Sequence, residues 1–315
     1  MDKPNIGAMA SQITQSLFRL TLILAVSLLL VVGCSRVKLG YHFADVFLAE
    51  YASDYLELDG DQTNAWIPQL RESLGEHRRE ELPYLAAFFD QFERAVEQGL
   101  TPAAMTCLLD DTEVIYRRHI RLAAEAAAPL LADLDAGQIN ALARTFDEEA
   151  AEDAVEETPE EDAKGSAERF ADNLKFWLGE LDQPQKNIIA RFMPELPESR
   201  SFYDYRDAQR RALIDLLRAG APAPHIQGFL IDWLVDFQNA PAQLEQDRQR
   251  YRRVLTELLV ALDPTFSDQQ RQHLLQRLGQ LREDFLSLQP TPRLANSHCQ
   301  GSDDQTVNSN GRSND

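Results

Sequence analysis

No two of the fourteen glycines stand two residues apart. The GxGxxG turn that seats a dinucleotide and the GxSxG elbow that presents a nucleophilic serine are therefore both excluded, and no GxxxxGK phosphate cradle is present. None of the six histidines begins an HExxH zinc motif or follows a glutamate at the i, i+3 spacing of di-iron bundles. His77 and Glu81 stand one helical turn apart, which suits a shared metal ion or, more simply, a surface ion pair. The chain thus shows no catalytic residue, no metal ligand set and no cofactor motif, and reads as something other than an enzyme. Cations are also scarce: 31 lysines and arginines face 51 acids, for a net charge of −20. Nucleic acid is excluded as a partner, because phosphate binding rests on clustered cations. Alternating runs of β-branched residues are missing too, while Leu, Ala, Gln, Glu and Arg dominate. That balance predicts an all-α fold, a multi-helix bundle with two similar helical halves.

The longest apolar run, Leu20 to Val32, is too short to cross a bilayer, which takes about 20 helical residues. It fits the apolar region of a signal peptide, led by Lys3 and Arg19. The residues that follow, Val31-Val32-Gly33-Cys34, resemble the lipobox of bacterial lipoproteins. The resemblance implies cleavage between Gly33 and Cys34 and attachment of diacylglycerol and a further acyl chain at Cys34, and two or more chains give stable anchoring. The partner implied is the membrane, through an N-terminal lipid. Ser35 stands where an aspartate would imply retention at the inner membrane, so the expected location is the periplasmic face of the outer membrane. Met1 or Met9 could begin the precursor without altering the mature chain.

Only Cys107 and Cys299 remain. Cys107 reads as a small core residue of a helix; a Cys107–Cys299 disulfide is the alternative that an oxidising compartment permits. The expected organisation is a signal peptide (1–33), a short tether (34–40), a first helical half (41–146), an acidic linker or insertion (147–168), a second helical half (169–289) and a disordered polar tail (290–315). The segment 147–168 also reads as a polar helix extension into solvent. Leu274, Leu278, Leu281, Phe285 and Leu288 form one helical stripe, and Leu244, Tyr251, Leu255, Leu258 and Leu262 another. Such narrow stripes imply helices packed on helices.

Several short motifs recur in the same order in both halves: LDGDQ and LDQPQ, EELP and PELP, GLTPAA and GAPAPH, IYRRHI and RYRRVL. An ancient duplication or coincidence among helix ends would account for this. The LDxxQ element, at 58–62, 134–138 and 181–185 and more loosely in LDPTFSDQQ, is similar to the LTxxQ signature of periplasmic helical chaperones that sense envelope stress. A simpler reading makes each aspartate an N-cap and each glutamine the N3 residue of a capping box, with Ser267 and Gln270 in the same relation. Arg117, Arg118, Arg252 and Arg253 follow tyrosines and form a candidate polar cluster, able to grip acidic residues at their own core rim or lipid phosphate. Tyr116 and Ile120 share the buried stripe that these arginines flank.

With the lipobox, the first helix ending in DYLELD, and HRREELPYLA at 77–86, the chain resembles an uncharacterised family of Gram-negative lipoproteins carrying a domain of unknown function. The resemblance spans about residues 30 to 288. It implies an all-helical periplasmic lipoprotein and transfers no active site. The function expected is that of an interaction or scaffold module at the envelope, with an envelope protein or peptide as partner held in a groove between the halves. A chaperone-like envelope-stress protein is the alternative.

Overall fold

The computed structural model describes residues 36–153 and 159–296. The expected signal peptide, Gly33, Cys34 and Cys299 lie outside the described residues. The chain divides into two units, one ending at Ala44 and the other beginning at Asp45. In the first, α1 (Arg36–His42) replaces most of the expected extended tether with helix. A helix rises 1.5 Å per residue instead of about 3.5 Å. The reach from Cys34 is correspondingly shorter.

The second unit is helical throughout its described length, apart from short connections: α2 (Ala44–Leu56), α3 (Gly60–Glu76), α4 (Leu82–Gln98), α5 (Pro102–Ala132), α6 (Ala136–Asp153), α7 (Pro159–Leu178), α8 (Gln183–Phe192), α9 (Arg200–Arg218), α10 (Ala223–Leu234), α11 (Ala242–Leu262) and α12 (Asp268–Leu288). The fold is all-α, with no strand among the described residues. The acidic stretch is helical on both sides of residues 154–158, as extensions of α6 and α7.

Two hydrophobic cores form, and neither belongs to one half of the sequence. The first joins Leu56, Trp66, Leu70, Ala128, Ile139 and Leu142 to Leu213, Leu217, Ile226 and Leu230. The second joins Val96, Met105 and Leu108 to Leu178, Ile189, Val254, Leu262 and Leu278. Helix α4 of the first half packs on α12 of the second, while α9 of the second half packs on α6 of the first. The two halves have exchanged equivalent helices. Helix α5, 31 residues or about 46 Å long, serves both cores, placing Met105 and Leu108 in one and Ala124 and Ala128 in the other.

The echoed motifs mark equivalent points in this arrangement. LDGDQ starts α3 and LDQPQ starts α8, while EELP and PELP lead towards α4 and α9. Gly99 and Gly220 close α4 and α9 with φ of 89° and 67°, where a side chain would be strained. All four expected capping boxes form: Asp59 with Gln62, Asp135 with Gln138, Asp182 with Gln185, and Ser267 with Gln270.

Each capping glutamine also reaches across its half. Gln62 Nε2 donates to the Asp133 carbonyl at 2.8 Å and Gln138 Nε2 to the Glu57 carbonyl at 2.9 Å, with the two amides bonded to each other. In the second half, Gln185 Nε2 donates to Thr265 at 3.1 Å and Gln270 Nε2 to Glu180 at 2.9 Å, again with a mutual amide pair. In all four cases the accepting carbonyl lies two residues before the partner's N-cap. Each clasp therefore ties two helix starts together with pseudo-two-fold symmetry.

Candidate functional site

The four singled-out arginines separate. Arg117 donates to Glu113 one turn earlier, at 3.0 and 2.9 Å, and stands 3.7 Å from Asp236. Arg252 crosses from α11 to the other oxygen of Glu113 at 3.4 Å, to the Leu109 carbonyl at 3.3 Å, and to Asp110. Glu113 thus receives cations from both halves, with Arg248 a further 3.7 Å away. Arg118 turns instead to Glu81, and Arg253 lines a groove. Tyr116 and Tyr251 are not on buried stripes: they are 40 % and 47 % exposed, and the core positions of α11 fall to Leu244, Val254, Leu258 and Leu262. The YRR elements mark the outer rim of the α5–α11 contact, where the Tyr116 hydroxyl donates to the Leu234 carbonyl at 2.9 Å.

The groove runs between α5 and α11, the junction of the two halves, and has a volume of about 550 Å³. Pro102, Thr106 and Leu109 line it from α5 at helical spacing; Arg252, Arg253, Thr256, Glu257, Val260 and Ala261 line it from α11. Leu109, Val260 and Ala261 supply apolar surface, while Arg253 and Glu257 set opposite charges on the rim. Arg252 is committed to Asp110 and Glu113. Arg253 forms no ion pair among the described residues. Apolar walls with a few fixed charges suit a segment carrying apolar side chains and an acidic group.

A second polar centre surrounds HRREELP. His77–Glu81 form a π-helical turn between α3 and α4. Pro83 explains it, since proline lacks an N–H and crowds the carbonyl four residues back, so one wider turn relieves the clash. The carbonyl released is that of Arg79, and Arg293 Nη2 donates to it at 3.1 Å. The Ala295 N–H donates to the Pro83 carbonyl at 3.0 Å. Of the polar tail expected from Pro290, residues 290–296 are described; they are exposed except for Ala295, and Arg293 satisfies the carbonyl that the proline left open. Inside the turn, Arg118 meets both oxygens of buried Glu81, at 2.7 and 2.8 Å, with its guanidinium 4.1 Å from the centre of the Tyr84 ring. Burial disfavours charge on Arg118, but hydrogen bonds and charge from Glu81 outweigh it and raise its pKa. The cavity beside Tyr84, Asp111 and Asn296 has about 10 Å³, the lower limit for one water. The Arg118–Glu81 pair and the bonds from Arg293 and Ala295 tie α5 and the segment after α12 to the start of α4.

His77 and His119 meet edge-on with ring centres 4.8 Å apart, and the His119 Nδ1–H donates to Ile115 at 2.7 Å. Burial, then the charges of His119 and Arg78, push the pKa of His77 down from 6.5 to about 4. The fold holds this ring neutral, so the stability it contributes is fully present above pH 6.5 and is lost as pH falls towards 4. The span amounts to about 3 kcal/mol. Urea unfolding at pH 7 and pH 4.5 should show His77→Gln losing less stability on acidification than the parent. Equal losses would contradict this.

Cys107 is disulfide-bonded rather than a free core thiol, and its partner lies outside the described residues. Asn296 stands against Asp111, one helical turn from Cys107, and three further residues can extend about 10 Å. Peptide mapping under non-reducing conditions should return a Cys107–Cys299 peptide that reduction separates; a Cys34–Cys107 peptide would remove the free thiol that lipid attachment requires.

Sequence reasoning located the capping residues and the arginines and expected a groove between the halves, but missed the α5 wall of that groove. The signal for it was the spacing of Pro102, Thr106 and Leu109, which resembles an ordinary core stripe. In comparison with known proteins, residues 54–236 match the model of a family of unknown function. That span includes the π-helical turn, Arg118 and the α5 wall of the groove, and ends before α11. No curated protein and no solved structure matches.

Proposed function

Because the chain belongs to that family, DUF6279, with more than half its length inside the match, and the family carries no assigned activity, we propose a role from the chain's own geometry. The protein is a lipid-anchored interaction module on the periplasmic face of the outer membrane, holding an envelope peptide or amphipathic helix between α5 and α11. The observation that carries this reading is the groove at the junction of the halves, apolar along Leu109 and Val260 and edged by the uncommitted Arg253. The Val31-Val32-Gly33-Cys34 motif supports the anchor, and Ser35 favours the outer over the inner membrane.

A photoreactive residue at Thr256, in the full-length protein in its own cells, should give discrete adducts that a probe at exposed Gln276 does not. Leu109→Asp should abolish them without lowering thermal stability. The same labelling from both positions would defeat the groove reading. For the anchor, Cys34→Ser should stop fatty-acid incorporation and leave uncleaved precursor; continued incorporation would refute it. The open groove also suits the chaperone-like alternative. Protection of several unrelated unfolded clients, lost in Leu109→Asp, would favour that role over a dedicated partner.

A further inference from the structure

Arg118 and Arg253 hold the same place in the echoed elements IYRRHI and RYRRVL, and Glu81 and Glu195 the same place in EELP and PELP. The structure keeps the correspondence. Tyr116 and Tyr251 are both exposed, and Arg117 and Arg252 both reach Glu113. Each YRR helix also touches the turn of its own half: Arg118 Nη2 donates to the Glu80 carbonyl at 3.5 Å, and Arg250 Nε to the Glu195 carbonyl at 2.7 Å. What differs is the ligand of the second arginine. In the first half the π-helical turn ends at Glu81 and buries its carboxylate, where Arg118 binds both oxygens beside the Tyr84 ring. In the second half a 3₁₀ turn, Met193–Glu195, stands in its place. It winds more tightly than a π-helical turn and directs its last side chain elsewhere. Glu195 is exposed, and exposed Glu198 occupies the position of Tyr84. Arg253 therefore has neither the acid nor the ring, and lines the groove between α5 and α11.

We propose that Arg253 receives a carboxylate from the protein segment that occupies the groove, as Arg118 receives that of Glu81. This rests on the groove reading above and names the group that the partner must carry. A guanidinium fork matches a carboxylate with two parallel hydrogen bonds, which the first half demonstrates with its own acid. Leu109, Val260 and Ala261 beside it call for an aliphatic side chain next to that acid. The first half's own ligand has this composition, since Glu81 is followed directly by fully buried Leu82. Glu257, one turn along α11 from Arg253, repels a second acid and accepts a basic or neutral residue there. The partner segment thus carries one acid beside an aliphatic residue, with no second acid a turn away.

The test uses the full-length protein in envelopes isolated from its own cells. Arg253→Lys keeps the charge and supplies an amine, which a water-soluble carbodiimide joins to a carboxylate in contact with it. The expected product is an amide between position 253 and another protein, absent from Arg277→Lys, a control at an exposed position of α12. Tandem mass spectrometry places the amide on an acidic side chain or on a chain terminus, which separates the two sources of the carboxylate. In whole cells, Arg253→Gln should lower the yield of photo-adducts from Thr256 at least about tenfold, the loss expected for one charge-assisted hydrogen bond. Its unfolding temperature should match the parent's, whereas Arg118→Gln, at the corresponding position, should lower it. An amide to the chain's own Glu195 or Glu257 makes Arg253 an internal partner and overturns the proposal. No amide at position 253, or Thr256 adducts undiminished in Arg253→Gln, overturns it and leaves the groove reading standing. Absence of Thr256 adducts in the parent removes both.

Discussion

A Gln185→Leu variant is expected to lose about 4 kcal/mol of unfolding free energy, close to the largest effect available to a single side chain in this fold. Gln185 is fully buried, and both ends of its amide are saturated. Its Oε1 accepts from the Asp182 N–H at 3.0 Å and from Gln270 Nε2 at 3.0 Å. Its Nε2 donates to the Thr265 carbonyl at 3.1 Å and to Gln270 Oε1 at 2.9 Å. Leucine has nearly the same volume, so packing survives and the cost arises from the polar groups left behind. Each buried group without a partner costs about 1–3 kcal/mol. Gln185→Glu should be at least as damaging, because a buried carboxylate would face the Thr265 carbonyl. The companion experiment is Gln185→Leu with Gln270→Leu, which should cost less than the sum of the singles because part of the broken network is removed together. Gln62 is only partly buried, so Gln62→Leu should cost less than Gln185→Leu. Urea unfolding of the full chain measures these variants and the single Gln270→Leu; equal costs at both clasps, or strict additivity, would reject this account.

Arg118→Met is expected to destabilise by about 3 kcal/mol or more, because it leaves the Glu81 carboxylate buried without its cation. Glu81 is 6 % exposed and receives both guanidinium contacts that this arginine makes to a carboxylate. Replacing both members, as Glu81→Leu with Arg118→Met, should recover most of the loss, since desolvation of two charges offsets much of their attraction. Surface pairs such as Arg200 with Asp204, both largely exposed, should change stability by less than about 1 kcal/mol when broken. Thermal unfolding distinguishes these cases. If Arg118→Met proved as mild as Arg200→Met, the cluster at the π-helical turn would not be a buried ion pair in energetic terms.

Helical content and helix starts were legible in the sequence because both are local. The 3.6-residue period and the N-cap-to-N3 spacing are each complete within a turn or two, and the capping boxes at Asp59, Asp182 and Ser267 appear as expected. The other half of each capping glutamine was not legible. Its Nε2 partner lies between 71 and 90 residues away, and nothing near Gln62 or Gln185 marks that distance. HRREELP stood out as a motif, yet its meaning depended on Pro83 and on Arg293, more than two hundred residues later. Tyr116 and Tyr251 fitted a buried period and are exposed, because periodicity fixes a helical face but not which neighbour covers it. The groove belongs to the same class: it exists only where α5 and α11 meet.

The exchange of α4 and α9 between halves fixes the order in which the chain can mature. A polypeptide emerging from its N-terminus presents α4 long before α12, its packing partner, exists. Val96 and Leu108 have to wait for Leu262 and Leu278, almost the last core residues made. The second core therefore closes late, through contacts of long sequence separation, which are the slow ones to form. Until then the first half exposes apolar surface. The first core has all its residues once α10 is made, whereas the second waits for α12.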